Sequence, residues 1–289
     1  MYKSLAEQCI ALAWSQWTAL GVSGHAPEPQ RAIDLEAAIV FAPALAELDP
    51  RLHDEVLDWC IQFSDRFVSV SVLKNVVEWF DEGARARFDS FAATVNAHAG
   101  TRWPAHGARA LKIKPSGKST CRVDSAVAIA LRARKIFGID ARADILVDLV
   151  LQAGSGWSRV SDFAALGYAK RTIAMALDDL HTGGLLERNQ IGNSLRYRLR
   201  DQAPLPALLA PVPGSHFRSA TAALVLAESL LSARRASTGK SATTAAVEIH
   251  KVMARRSALL AALDQEPPPL RPDAPWSSID EWIEPLLRP

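Results

Sequence analysis

The sequence predicts a mainly α-helical protein with one small β-hairpin near its middle and helical regions on either side. Apolar residues recur at three- and four-residue spacing over most of the chain. Only residues 186–199 combine two short strand-like runs with a tight turn, Gly192-Asn193, between them. Clusters of proline and glycine divide the chain into four parts, residues 1–100, 101–138, 139–200 and 201–289.

The first part reads as an acidic helical domain. Residues 5–20 are apolar, carry Trp14 and Trp17, and stop at Gly21, before a loop with two prolines. Asp34 is placed to cap a helix through residue 48, kinked by Pro43. Asp49-Pro50 opens another, with the aspartate as cap and the proline in the first turn. Val56, Trp59, Cys60 and Phe63 lie along it at helical spacing. Residues 66–70 read as a short strand, and Val72, Leu73, Val76, Val77 and Phe80 as a further helix. The segments 34–80 have the outline of a degenerate helix-turn-helix, but their acidity points to a structural or dimerising role. Trp14, Trp17, Trp59 and Trp79 are expected in the core, and Asp54, Glu55 and Asp58 on a solvated helix face.

Residues 100–123 lack periodic apolar pattern and read as a flexible basic arm, followed by a helix from a cap at Asp124 to Phe137, closed by Gly138. After residue 200, Pro204, Pro206, Pro211, Pro213 and Gly214 mark a linker. Helices are expected over 216–235 and 241–263, ended by Pro267-Pro268-Pro269, and over 277–287. Ala223, Leu224, Leu226, Ala227, Leu230 and Leu231 form an apolar stripe that suits a dimer seam.

Residues 140–200 carry the pattern with functional content. Asp140 is placed as an N-cap, and Ile145, Leu146, Leu149 and Val150 share one helix face before Gly154-Ser155-Gly156. Ser158 reads as the cap of a short helix containing Phe163 and Leu166, closed by Gly167, and Trp157 is expected to pack beside the short strand ahead of Ser158. A third helix follows from Ala169 to Thr182, with Ile173, Ala176, Leu177 and Leu180 inward, stopped by Gly183-Gly184. In the second strand Leu195, Tyr197 and Leu199 share one face, and Arg196 and Arg198 the other.

Helix, helix, glycine turn, helix and basic hairpin in this order resemble the winged helix-turn-helix regulators of bacteria, including MarR-like and ArsR-like families. The resemblance spans residues 140–200 and rests on 163–173 and 177–188. It implies a winged helix that binds double-stranded DNA, and with it a sequence-specific transcriptional regulator, a repressor, working as a homodimer. A helix N-terminus enters the major groove and offers its first side chains to base edges. The expected DNA-contacting residues are Ser158, Lys170, Arg171, Thr172 and Met175, with Arg188, Asn193, Arg196 and Arg198 from the hairpin. Arg171 suits guanine, Lys170 a phosphate, Met175 a thymine methyl. Arg109, Lys112, Lys114, Lys118 and Arg122 are expected to make non-specific phosphate contacts.

Charge distribution supports this reading. The net charge of +2 divides into 7 basic and 14 acidic residues over 1–100, but 9 basic and 1 acidic over 101–138. Winged helices also serve as protein-binding modules. One alternative is therefore an antitoxin-type regulator, which would neutralise a protein partner through the acidic domain. Another is a nucleotide-binding ATPase, suggested by Pro115-Ser116-Gly117-Lys118-Ser119-Thr120. That motif is broken, because Lys112 stands where a phosphate-binding loop has its first glycine.

Cys9, Cys60 and Cys121 are too few and too widely spaced for a disulfide framework or structural zinc. The seven histidines show no ligand spacing. No enzyme activity, cofactor or metal is expected. With no apolar run of membrane length and no signal-peptide pattern, the expected location is cytoplasmic.

Overall fold

The computed structural model describes residues 3–152, 156–201, 205–209 and 217–289. Among them the protein is mainly helical, with one two-stranded antiparallel sheet. Two cores form, and the larger draws on both ends of the chain.

Helix α1 (Leu5–Ala19) begins in a capping box, with Ser4 and Glu7 satisfying each other's main-chain N–H groups. Helix α2 (Leu35–Ala44) is capped by Asp34 and is buried at every position. Pro43 sits in its last turn, so the helix ends there rather than continuing with a kink. Helix α3 (Pro50–Phe67) has Asp49 as cap and Pro50 at its start, as the sequence reading expects. No strand follows it. Arg66 and Phe67 finish α3, and Ser69 caps α4 (Val70–Val77). Helix α5 (Glu82–Ala99) closes on Gly100 in the left-handed conformation.

Residues 101–125 are not a flexible arm. Although irregular, they form a strap hydrogen-bonded to the helices beneath. Trp103 is buried and stacks on Phe88 with ring centres 6.2 Å apart. The Leu111 N–H donates to Thr94 at 2.8 Å, and the Thr120 and Arg122 N–H groups donate to the Gly21 and Leu20 carbonyls, both at 3.0 Å. Such bonds satisfy a backbone that no helix or sheet ladder serves. Asp124 does not cap the next helix, because a 310 turn (Ala126–Ala128) precedes α6 (Ile129–Phe137).

The C-terminal helices complete the first core. Helix α10 (Phe217–Ser237) packs on α2, α1 and the helices that follow it: α11 (Ala242–Arg255), α12 (Ser257–Ala262) and α13 (Pro275–Leu287). Helix α13 returns to α1, where Asp280 accepts from the Leu5 N–H at 2.7 Å and pairs with Arg234 at 2.6 Å. The stripe from Ala223 to Leu231 is buried in this intramolecular core, so it is not a dimer seam. Trp17 and Trp59 meet edge to face in the same core, whereas Trp14 and Trp79 lie at its margin.

The second core holds α7 (Ala141–Leu151), a 310 segment (Val160–Leu166), α8 (Lys170–Thr182) and the hairpin β1 (Leu186–Ile191) and β2 (Ser194–Leu199). The strands pair from Leu186 opposite Leu199 to Ile191 opposite Ser194. Asp140 caps α7 as expected. A five-residue helix, α9 (Leu205–Leu209), lies within the expected linker and packs on α6 and α7. The expected stop at Gly154-Ser155 and the linker residues Pro204, Pro211, Pro213 and Gly214 lie outside the described residues.

Candidate nucleic-acid interface

Helix α8 is amphipathic. Ile173, Ala176, Leu177 and Leu180 are buried, so the opposite face is open. Gly167, at φ 77°, ends the 310 segment in the left-handed region and turns the chain toward α8. Ala169 occupies the N-cap without a side-chain bond, leaving the first-turn amides uncapped. Lys170, Arg171, Thr172 and Met175 are exposed, the last by 58%. Lys170 and Arg171 form no ion pair with any described residue. The first turn of α8 is therefore a compact cationic surface strengthened by the helix dipole.

The hairpin arginines differ among themselves. Arg188 pairs with Asp178 at 3.2 Å, and the Tyr197 hydroxyl donates to the same carboxylate at 2.9 Å. Burial and the Asp178 charge push the Tyr197 phenol above its usual range. Arg198 pairs with Glu187 at 2.7 Å and lies over the Trp157 ring, 4.8 Å from its centre. Arg196 is half-buried, with a buried Nε that has no hydrogen-bond partner among the described residues. Asn193 is exposed at the tip. Three of the acidic groups nearest the open face thus have basic neighbours, since Arg142 reaches Asp179 at 4.0 Å.

Ser158 leaves the expected set. It is buried, and its main chain exchanges two 2.8 Å hydrogen bonds with Tyr197, extending the sheet by one bridge. Arg159, not Ser158, stands at the N-cap of the 310 segment. A serine before a helical pattern fits both roles, and only the pairing partner, 39 positions away, decides between them.

Arg109, Lys112, Lys114, Lys118 and Arg122 are all exposed, but the strap holds them on α1, α3 and α5 rather than on the unit that carries α8. The phosphate-loop-like motif is folded onto the protein itself. Asp58 is buried, not solvated, and accepts from the Ser116 and Gly117 N–H groups at 2.6 and 3.0 Å and from the Ser116 hydroxyl at 3.1 Å. Burial alone would raise the Asp58 carboxyl, but these donors outweigh it and hold it below its usual value. Amides that could cradle a phosphate are occupied by a carboxylate.

A second cluster, absent from the sequence reading, sits where the two cores meet. Arg134 of α6 is fully buried and bridges Glu36 of α2, at 2.6 Å, and Asp144 of α7, at 2.8 Å. It also donates to the Phe67 carbonyl at 2.7 Å. Burial would lower the Arg134 pKa, but Asp144 and Glu36 together hold it well above normal. Burial raises the Glu36 carboxyl to about 7 even against the guanidinium. The Tyr168 hydroxyl donates its single proton to Asp144 at 2.7 Å and lies 3.3 Å from the Ser69 hydroxyl, which can donate to it in turn. Asn75 of α4 hydrogen-bonds the Gly167 carbonyl. The available signal was the lone charge of Glu36 within the apolar run 35–44; Arg134, between Arg132 and Lys135, gave none.

Among the described residues no helix is long and apolar enough to cross a membrane, and no three His, Cys, Asp or Glu side chains form a metal-holding group. Compared with known proteins, the chain matches no family model, no curated sequence and no solved structure.

Proposed function

We propose that residues 139–200 form a winged helix-turn-helix and that the protein is a sequence-specific regulator of transcription, a repressor, that binds double-stranded DNA. The observation that carries this reading is the exposed Lys170-Arg171 pair, without an ion-pair partner among the described residues, at the uncapped start of α8, beside the hairpin. A helix start of this kind suits the major groove, with Arg171 for a guanine edge and Lys170 and the free amides for phosphates. Thr172 and Met175 continue the reading face. Asn193 and Arg196 of the hairpin reach the flanking backbone, while Arg188 and Arg198 act after exchanging their carboxylate partners for phosphate. The strap cations add non-specific attraction. A homodimer with the two α8 helices about one DNA turn apart belongs to the proposal, its seam lying elsewhere than α10.

Selection of genomic fragments by the purified chain, followed by footprinting, tests the reading. Enrichment of one motif, lost on Arg171→Ala, supports it; retention of all fragments alike overturns it. One observation favours a second reading, a protein-binding winged helix. Met175, Ile191 and Leu195 are exposed apolar side chains on α8 and the hairpin. In that case a protein partner is captured in the presence of competing DNA, and no motif is enriched.

A further inference from the structure

The α8 start is tied to the helical body by contacts that reach through the second core. Tyr168 lies two residues before Lys170, and its hydroxyl meets Asp144 of α7 and Ser69 at the cap of α4. Asp144 is held by Arg134, which is held in turn by Glu36, and Glu36 also accepts from the Ser69 N–H at 2.8 Å. A closed ring of buried polar groups therefore joins α2, α4, α6, α7 and the turn before α8. Independently, Asn75 of α4 grips the Gly167 carbonyl, and a Cβ on Gly167 would stand 3.5 Å from the Asn75 side chain. Hydrophobic packing tolerates small rotations, whereas directed hydrogen bonds at both ends of one turn fix its orientation.

We infer that Tyr168 is a positioning residue: its hydroxyl fixes the turn that opens α8 against the Arg134 cluster, so the helical body sets where Lys170 and Arg171 point. The inference rests on the DNA-binding reading of α8 and adds to it. The body becomes the handle of the reading helix, and a displacement of α2 or α4 is carried to the DNA face through Glu36, Arg134 and Asp144.

The test uses the full chain with Tyr168→Phe, which keeps the ring and removes the hydroxyl, and with Asn75→Ala, which cuts the second tie at an exposed position. Two measurements are made. One is hydrogen–deuterium exchange at the amides of residues 173–176, the first hydrogen-bonded amides of α8, relative to those of α10. The other is affinity for a duplex recovered by genomic selection against a random duplex. In both variants exchange at 173–176 accelerates while α10 stays unchanged. Affinity for the selected duplex falls about tenfold, the equivalent of one hydrogen bond, with little change for the random duplex. The salt slope stays as in the parent, because no phosphate contact is removed. Unchanged exchange in both variants overturns the joint itself. Faster exchange with an unchanged specificity ratio overturns the positioning role. If the parent chain selects no motif, the DNA reading and the positioning role both fall, and exchange still decides whether the joint exists.

Discussion

The Asp58 carboxylate lies 3.0 Å from the Gly117 main-chain nitrogen, in the place an anion would take over the loop 115–119. Asp58→Ala leaves the Ser116 and Gly117 amides without their acceptor, a loss of about 2–3 kcal/mol in stability. The strap should also open, so limited trypsin digestion is expected to cut first after Lys112 or Lys118. A variant that melts and digests like the parent would show that the strap is held by other contacts.

Arg171 and Lys170 are adjacent but should report different things. Arg171→Ala is expected to weaken binding to the selected duplex by about 1–3 kcal/mol and random DNA much less. Lys170→Ala should weaken both alike and lower the salt slope by about one. Titrations by fluorescence anisotropy at several salt concentrations separate the two. Equal behaviour of the two variants would argue against a base-reading role for Arg171.

Burial raises the Glu228 carboxyl of α10 from 4.5 to about 7, with Asp81 adding to the shift. The folded protein therefore prefers the protonated acid. That stabilisation is complete below about pH 4.5, declines as pH rises and is gone above about pH 7. Glu228→Gln removes this component, so at pH 8 it should be more stable than the parent, by at most about 3 kcal/mol, and near pH 4.5 about equal. Glu36 shifts in the same direction, so the variant's stability profile should flatten rather than become level. Thermal melts from pH 4.5 to 8.5 give the comparison.

Gly21 stands at φ 103°, and a Cβ there would come within 2.3 Å of the Thr120 carbonyl oxygen. Gly21→Ala should destabilise the chain by more than about 1 kcal/mol, since both backbone conformation and close approach oppose it. Calorimetry checks the size, and faster amide exchange at Thr120 and Arg122 would locate the damage.

Local features of the fold were legible in the sequence. Asp34, Asp49 and Asp140 cap the helices assigned to them, and Gly138 and Gly167 stop theirs, because capping is decided within a few residues. The inward face of α8 followed from periodicity alone, whereas in β2 only Tyr197 of the expected inward set is buried and Leu195 is exposed. What escaped depends on distant partners. Ser158 bonds across to Tyr197, Asp58 folds under a loop some 60 residues later, and the α10 stripe covers α2 rather than a second chain. The strand expected at 66–70 failed because Phe67 and Val68 serve a helix-to-helix corner, where apolar side chains are wanted as much as in a sheet. The exposure of Lys170 and Arg171 was expected, whereas the polar ring behind them involves residues from positions 36 to 168 that no local pattern connects.

The seam between α1 and α13 also bears on how the molecule is made. Leu5 is hydrogen-bonded to Asp280, so an emerging chain cannot seal its main core until α13, some 270 residues later, has left the ribosome. The greasy flank of α2 lacks its cover until α10 emerges, and before that the nascent protein is at its most vulnerable to aggregation. The unit bearing α8 is under no such delay, because its own core lies within residues 129–209 apart from Ala32. It can take shape early, while the body that orients it is still unfinished.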